Sequence, residues 1–231
     1  IISIKFLYLE KLSNRSIVIA LKNLIMNYYI IGKSLDWIHF GFATCSLGKE
    51  NLPESMGAKS AVSLRGYDIG IYPFNNKGCY DLLWKKIDKV HTISDDLYNL
   101  AIQFGLNPKT PYIKISPAIN TDLFNNDSLR KMHNPIRILT VGRLSWKKGY
   151  EYALKALSLL NEMQIQFEYR IIGEGGYREA IIYAIHQFRL ENHIKILGKL
   201  SHDQVKEQMK WADIYIQPSI QEGFCNSVLE A

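Results

Sequence analysis

The chain has only three cysteines, Cys45, Cys79 and Cys225, among 231 residues, and they share no paired spacing. That excludes a disulfide framework and a cysteine-built metal site, and it fits a reducing compartment. No uninterrupted apolar run is long enough to span a bilayer. The best stretch, residues 17–31, is broken by Lys22, Asn23 and Asn27 and falls short of the roughly 20 residues a spanning helix needs. It reads as a buried or amphipathic helix. No internal repeat, low-complexity tract or signal-peptide pattern is present. Charge of one sign is not concentrated either: 28 basic residues face 22 acidic, with 15 against 11 over residues 1–130 and 13 against 11 over 131–231. Such a thin, spread excess gives no nucleic-acid footprint. It suits anionic small substrates or an anionic membrane surface.

What is present is alternation. Hydrophobic residues make up 47% and charged residues 22%, ordinary values for a globular chain long enough for two cores. In the second half IRILTV (136–141) predicts a buried strand and EYALKALSLL (151–160) a helix with apolar residues at helical spacing. A strand over 167–172, a helix over 178–190 and a strand over 193–197 follow. Ser201 with Gln204 predicts a capping box for a helix ending near Trp211, and a last strand is expected over 213–217. The first half carries candidate strands over 36–40, 60–64, 89–94 and 112–117, and a helix from Asp95 that Ser94 caps and Gly105 ends. Strands and helices in this order predict an α/β protein with two parallel-sheet lobes. The polar, turn-rich stretch 120–135 divides them, giving domains over 1–125 and 136–231 with a linker over 126–135. Ligands of such sheets gather at the carboxyl ends of the strands.

Three motifs lie at expected strand ends. GRLSWKKG (142–149) precedes a helix N-terminus, whose free amides and partial positive charge attract phosphate. Gly142 and Gly149 allow close backbone approach, Arg143 offers a bidentate fork, and Lys148 adds a mobile point charge. The same pattern also describes a solvated basic turn with two structural glycines. GEGG (173–176) is either a second phosphate-facing turn or a tight strand–helix connection. QPSIQEGFCNSVLEA (217–231) places Glu222 in a loop and Glu230 in the early turns of a helix expected from Asn226 or Ser227. Two carboxylates so placed can meet the two ends of a sugar nucleotide, with the backbone amides of Asn226, Ser227 and Val228 on the diphosphate. Solvated, dipole-paired glutamates give the same pattern.

In order and spacing, GRLSWKKG, RIIGEG, ADIYIQPS and EGFCNSVLEA resemble the retaining GT-B glycosyltransferases of family 4, also called glycosyl transferases group 1. KVHTISDDL, ISPAINTDLF, IHFGFAT and SLRGYDI resemble the first lobe of the same family. The resemblance implies a GT-B fold of two Rossmann-like lobes and a transferase that moves a sugar from a nucleoside-diphosphate sugar to a saccharide or lipid-linked acceptor. Arg143 and Lys148 are then expected on the donor diphosphate, Glu222 on the donor sugar in a pocket with Gly223 and Phe224, and Gly142 in the same donor site. Glu230 is expected on the ribose. The base would be met by backbone near residues 197–199.

His39, Arg65 and Asp68 are expected on the acceptor side. Arg65 stands where many members have histidine, as in a subset tied to exopolysaccharide and colanic-acid-type assembly; a structural Arg65–Asp68 pair is the other reading. Cys225 stands where proline is common. Catalysis is expected to need no metal and no cofactor, in line with the lack of an Asp-x-Asp pair, and to pass with retention through an oxocarbenium-like transition state. The resemblance also implies that both ends of the chain are cuts. A glycine-rich acceptor loop would lie upstream and closing helices downstream, so the fragment alone is expected to be inactive. A sugar-nucleotide epimerase or phosphorylase on the same fold, or a non-catalytic nucleotide-sugar-binding partner, are the competing readings. The expected location is the cytoplasm, at the inner face of the plasma membrane. Lys85, Lys86 and Lys89 near Trp84 form a lipid-contact candidate against the alternative of a solvated helix face.

Overall fold

The computed structural model describes residues 1–122, 124 and 131–231. The chain divides into two compact units, Ile1–Pro117 and Ala118–Ala231. Residues 126–130 of the expected linker lie outside the described residues.

The first unit holds helices α1 (Ile2–Leu12), α2 (Ile17–Met26), α3 (Tyr28–Ile31), α4 (Leu52–Met56), α5 (Tyr67–Gly70), α6 (Tyr72–Asn75), α7 (Asp81–Lys86) and α8 (Asp95–Gln103). They surround a parallel sheet of β1 (Trp37–Phe40), β2 (Lys59–Leu64), β3 (Lys89–Thr92) and β4 (Tyr112–Lys114), in that order. Its core is one cluster in which Ile38, Phe40, Val62, Leu64 and Val90 from the strands meet Phe6, Leu83, Leu97 and Ala101 from the helices. Period-2 alternation buries Ile38 and Phe40 and leaves Trp37 and His39 exposed. The Ser94 hydroxyl accepts the Leu97 amide at 3.3 Å and starts α8. Gly105 ends it at φ +99°, where a left-handed turn favours glycine.

The stretch 17–31 departs from expectation. Asn27 splits it, because its side-chain amide donates to Asn23 O at 2.7 Å and Gly48 O at 3.2 Å. Of α2 only Ala20 is buried. Ala20 and Ile31 are buried and Leu24 and Ile30 pack against the core, while Val18 and Ile25 stay exposed, so the stretch is two helices with one side inward and apolar residues left outside as well.

The second unit is more regular. Its sheet runs β7–β6–β5–β8, all parallel, from β5 (Ile136–Val141), β6 (Phe167–Ile172), β7 (Ile194–Gly198) and β8 (Ile214–Tyr215). Helices α9 (Tyr150–Glu162), α10 (Arg178–Gln187), α11 (His202–Trp211) and α12 (Asn226–Glu230) follow the strands. Neighbouring residues on one strand serve different cores: Ile138 joins Leu154, Tyr169 and Ile181, while Leu139 joins Ile172 and Val205. Both faces of a parallel sheet need such cover. The expected capping box at α11 is complete, with Ser201 and Gln204 each bonded to the other's backbone. β8 is shorter than 213–217, yet Asp213 N–H donates to Arg137 O and Ile216 N–H to Leu139 O, so the ladder continues past both ends until Pro218. The order β5–β8 adjacent, with β6 and β7 on the other side, puts the ends of β5 and β8 together.

Candidate functional site

β5 ends at Val141, and its carbonyl is a meeting point. Ser227 Oγ donates to it at 3.1 Å and Tyr215 Oη at 3.2 Å. The loop 142–149 leaves this point, forms a short 3-10 turn over Trp146–Lys148, and turns at Gly149 with φ +65°. A Cβ on Gly149 would lie 2.1 Å from Pro218 O, so the loop is seated against the end of β8 through bare backbone. Ile220 N–H donates to Lys147 O at 2.8 Å and ties the two loops a second time. The buried Tyr150 hydroxyl donates to Gly142 O at 3.1 Å.

GEGG is resolved by similar contacts. Gly173 lies at φ +143°, and a Cβ there would meet Gly142 O at 1.9 Å. Leu144 N–H donates to Glu174 O, Tyr177 N–H to Leu144 O, and Gly173 N–H to Gly198 O. The segment makes a tight strand–helix connection that packs on the 142–149 loop. Gly198 in the expected base-recognition stretch spends its carbonyl on the same scaffold.

On this scaffold Lys148 and Glu222 form an ion pair, with side chains 12% and 24% exposed. Lys148 is thus pinned rather than mobile, its methylene chain lying over Gly142. A chain of hydrogen bonds continues from the carboxylate. Ser219 Oγ donates to Glu222 Oε1 at 2.8 Å, Gln217 Nε2 to Ser219 Oγ at 2.6 Å, and Tyr215 Oη approaches Gln217 Oε1 at 2.8 Å. Burial pushes the Tyr215 phenol up to about 12, against the opposing hydrogen bonds of Ser227 and Val141; the nearby Glu230 carboxylate adds to the rise. Burial, then Tyr215 and Glu222, likewise raises the Tyr150 phenol. Both phenols stay protonated at neutral pH and hold their hydrogen bonds. Sequence reasoning missed Tyr150, Tyr215, Gln217 and Ser219, because uncharged residues at a helix start, a strand end and a loop carry no periodic signal.

Arg143 stands apart: it is exposed and its guanidinium makes no ion pair among the described residues. The structure therefore brings Gly142, Lys148, Glu222, Ser227 and Glu230 around the ends of β5 and β8, with Arg143 beside them in sequence and without an ion pair among the described residues. Gly223 and Phe224 are half-buried in the loop after Glu222. Asn226 and Ser227 open α12, while Val228 N–H is already donated to Cys225 O at 3.2 Å. Cys225 Sγ lies 3.2 Å from Ser227 Oγ. No cluster of three or more metal-ligating side chains occurs among the described residues.

In the first unit the three candidates part company. Asp68 is 1% exposed and works as a backbone clamp. Its Oδ1 accepts the amides of Arg65 (3.1 Å) and Gly66 (2.9 Å), and its Oδ2 accepts that of Ala43 (3.0 Å). An Arg65–Asp68 side-chain pair is not formed. The Arg65 guanidinium lies 5.6 Å from the Phe42 ring centre instead. His39 Nε2 pairs with the buried Ser63 hydroxyl at 2.8 Å, which pairs with His91 Nδ1 at 2.9 Å. Partial burial, then the charges of His91 and Arg65, holds the His39 imidazole below its ordinary value. Near Trp84, which is 6% exposed, Lys86 is paired with Glu54 and Lys89 lies over Trp37, while Lys85 and Lys89 are exposed.

The sequence model of the family Glycosyl transferases group 1 matches residues 123–231. The amylovoran biosynthesis glycosyltransferase AmsK of Erwinia amylovora is 28% identical over 202 residues, 84% of this chain and 49% of that protein. The putative colanic acid biosynthesis glycosyltransferase WcaL of Escherichia coli K12 is 27% identical over 201 residues, 84% of this chain and 49% of that protein. The chain thus spans about half the length of the curated relatives it matches. Among solved structures, the pneumococcal O-GlcNAc transferase GtfA in complex with UDP and GlcNAc superposes with a TM-score of 0.66 at 20% identity, over 92% of this chain and 42% of that one. At that identity the likeness speaks to the fold, which is of the GT-B type.

Proposed function

We propose that the whole protein moves a sugar from a nucleoside-diphosphate sugar to a saccharide or lipid-linked acceptor, with retention, in surface polysaccharide assembly; the match of the glycosyl transferases group 1 model to residues 123–231 supports this. AmsK and WcaL are named for such assembly, and GtfA was seen with UDP and a sugar. The observation that carries the reading is the Lys148–Glu222 pair held at the joined ends of β5 and β8, with Arg143 exposed and unpaired nearby in the same loop.

A diphosphate brings two or more negative charges, and a free guanidinium can fork onto its oxygens. Lys148 then stabilises the leaving group while Glu222, held by Ser219, meets a hydroxyl of the sugar. Glu230 meets the ribose, and Gly223 and Phe224 line the sugar pocket. The protein supplies position and charge stabilisation for departure of the nucleotide, with no metal ion required. His39 and Arg65 belong to the acceptor side. The reaction is placed in the cytoplasm at the inner face of the plasma membrane, where lipid-linked acceptors are held.

The test is titration of the whole protein with UDP, GDP and ADP in chelator, beside Arg143→Ala. Binding of one nucleotide, weakened about tenfold by the substitution, is the expected result; one charge-assisted contact is worth about 1.4 kcal/mol. No binding of any of the three by the wild type sinks the donor-site assignment. Binding with no acceptor-dependent transfer points instead to the non-catalytic partner.

A further inference from the structure

Trp84 is sunk in the core of the first unit at 6% exposure, its ring edge-on to the buried Tyr80 with 5.5 Å between centroids. Its Nε1 is buried as well and meets no hydrogen-bond partner among the described residues. An indole nitrogen can only donate, and a buried donor without an acceptor is costly. Phenylalanine would fill the same core without that cost.

The pyrrole edge that carries this N–H borders a cleft of about 340 Å³ lined by Asp81, Trp84, Lys85, Gly105 and Asn107. Gly105 is the wall at that edge. A Cβ on it would sit 3.5 Å from Trp84 Cδ1, the carbon bonded to Nε1, and its φ of +99° reserves the position for glycine. The chain therefore leaves the edge bare toward the cleft. The volume is about ten times the share of one water in the liquid, and lies at the lower end of ligand clefts, roughly 300–1,000 Å³.

The other lining groups define what fits. Asp81 and Lys85 stand one turn apart on α7, both exposed and without an ion pair among the described residues. Asn107 Oδ1 already accepts the Lys109 amide at 2.9 Å, which leaves its Nδ2 to donate. The cleft thus sets a carboxylate that only accepts beside the donors of Trp84, Lys85 and Asn107. Its negative and positive charges cancel. An anion would face Asp81 and a cation would face Lys85, whereas a neutral hydroxyl both gives and takes a hydrogen bond and suits every group present.

We propose that this cleft binds a neutral saccharide, a hexose ring with its hydroxyls on Asp81, Lys85 and Asn107 and an oxygen on the Trp84 N–H. The site uses none of the donor-side or acceptor-side residues. Nucleotide binding can therefore fail while saccharide binding succeeds, and the reverse.

The experiment follows the indole N–H resonances of the whole protein carrying isotope-labelled tryptophan, with Trp84→Phe to assign the Trp84 signal. The probes are glucose, galactose and mannose, with inorganic phosphate as the charged control. At least one sugar is expected to move the Trp84 signal saturably at millimolar concentration and leave those of Trp37 and Trp211 in place, while phosphate moves none of them. Asp81→Asn should weaken that sugar about tenfold. Asn107→Asp, which keeps the acceptor for the Lys109 amide and removes Nδ2, should weaken it about threefold. Both positions are exposed, so neither change disturbs the core. No movement with any of the three sugars leaves water alone on the N–H and overturns the proposal. Equal movement with phosphate, or sugar affinity unmoved in both variants, overturns it too.

Discussion

The strand ends of the two units use similar residues to different ends. In the second unit, Lys148 and Glu222 at the ends of β5 and β8 pair with each other on a scaffold whose uncharged groups do the holding: Tyr150, Tyr215, Gln217 and Ser219. In the first unit, the carboxylate itself does the holding. Asp68 is spent on three backbone amides, and Arg65 leans on an aromatic ring. A charged residue at a strand end is thus a ligand group only if something else supports the turn. Where it supports the turn itself, it is structure.

The strongest way to break this comparison is Asp68→Ala. Three amides lose their acceptor, that of Ala43 in a buried position, and unfolding stability should fall by about 3 kcal/mol. Chemical denaturation measures it, and a change below about 1 kcal/mol would return Asp68 to the list of ligand groups. The second unit should be far less sensitive to its own charged residues: Arg143→Ala should leave stability within about 0.5 kcal/mol while reducing nucleotide affinity about tenfold.

Next in size come the glycines. Gly149 and Gly57 both lie at positive φ, +65° and +76°, but a Cβ at Gly57 meets nothing within 4 Å. Gly57→Ala should cost about 1 kcal/mol of backbone strain alone. Gly149→Ala adds the collision with Pro218 O and should cost roughly 2 kcal/mol more, with a matching loss of nucleotide binding, because the loops must part. Equal costs at the two sites would show that the 142–149 loop is not seated on β8.

The smallest effect is in pH. Burial raises the Asp213 carboxyl, but hydrogen bonds from His133 and the amides of Arg137 and His133 outweigh it, and the net shift is downward. A depressed carboxyl contributes stability above its unfolded value, near 4, and loses it as pH falls through the lower folded value. Asp213→Asn should flatten the acid limb of the stability profile below about pH 4. An unchanged limb would place the acid sensitivity elsewhere. Asp213 lies at the opposite end of β8 from Glu222, so nucleotide binding at neutral pH should not move.

Much of the second unit was legible. Its strands and helices alternate in order and Ser201 and Gln204 announced the α11 cap, while Gly149, expected to approach a ligand, comes up against Pro218 O. The first unit was read less well where burial decides the meaning. Residues 17–31 have the composition of a core helix, and composition cannot show that Asn23 and Asn27 point inward while Val18 and Ile25 point out. Trp84 beside Lys85 and Lys86 suggested lipid contact, yet the ring is packed in the core.

By itself the sequence determined the period of each element, the parallel α/β class, and the residue types at each strand end. These are local properties, set by backbone sterics and by which side chains alternate at 2.0 or 3.6 residues. Only the tertiary structure decided which charges are spent and which are free. The order β7–β6–β5–β8 brings Glu222 to Lys148 across 74 residues of chain. The folding of 41–68 closes Asp68 on the Ala43 amide. Pairing of this kind depends on distance in space, and spacing along the chain does not encode it.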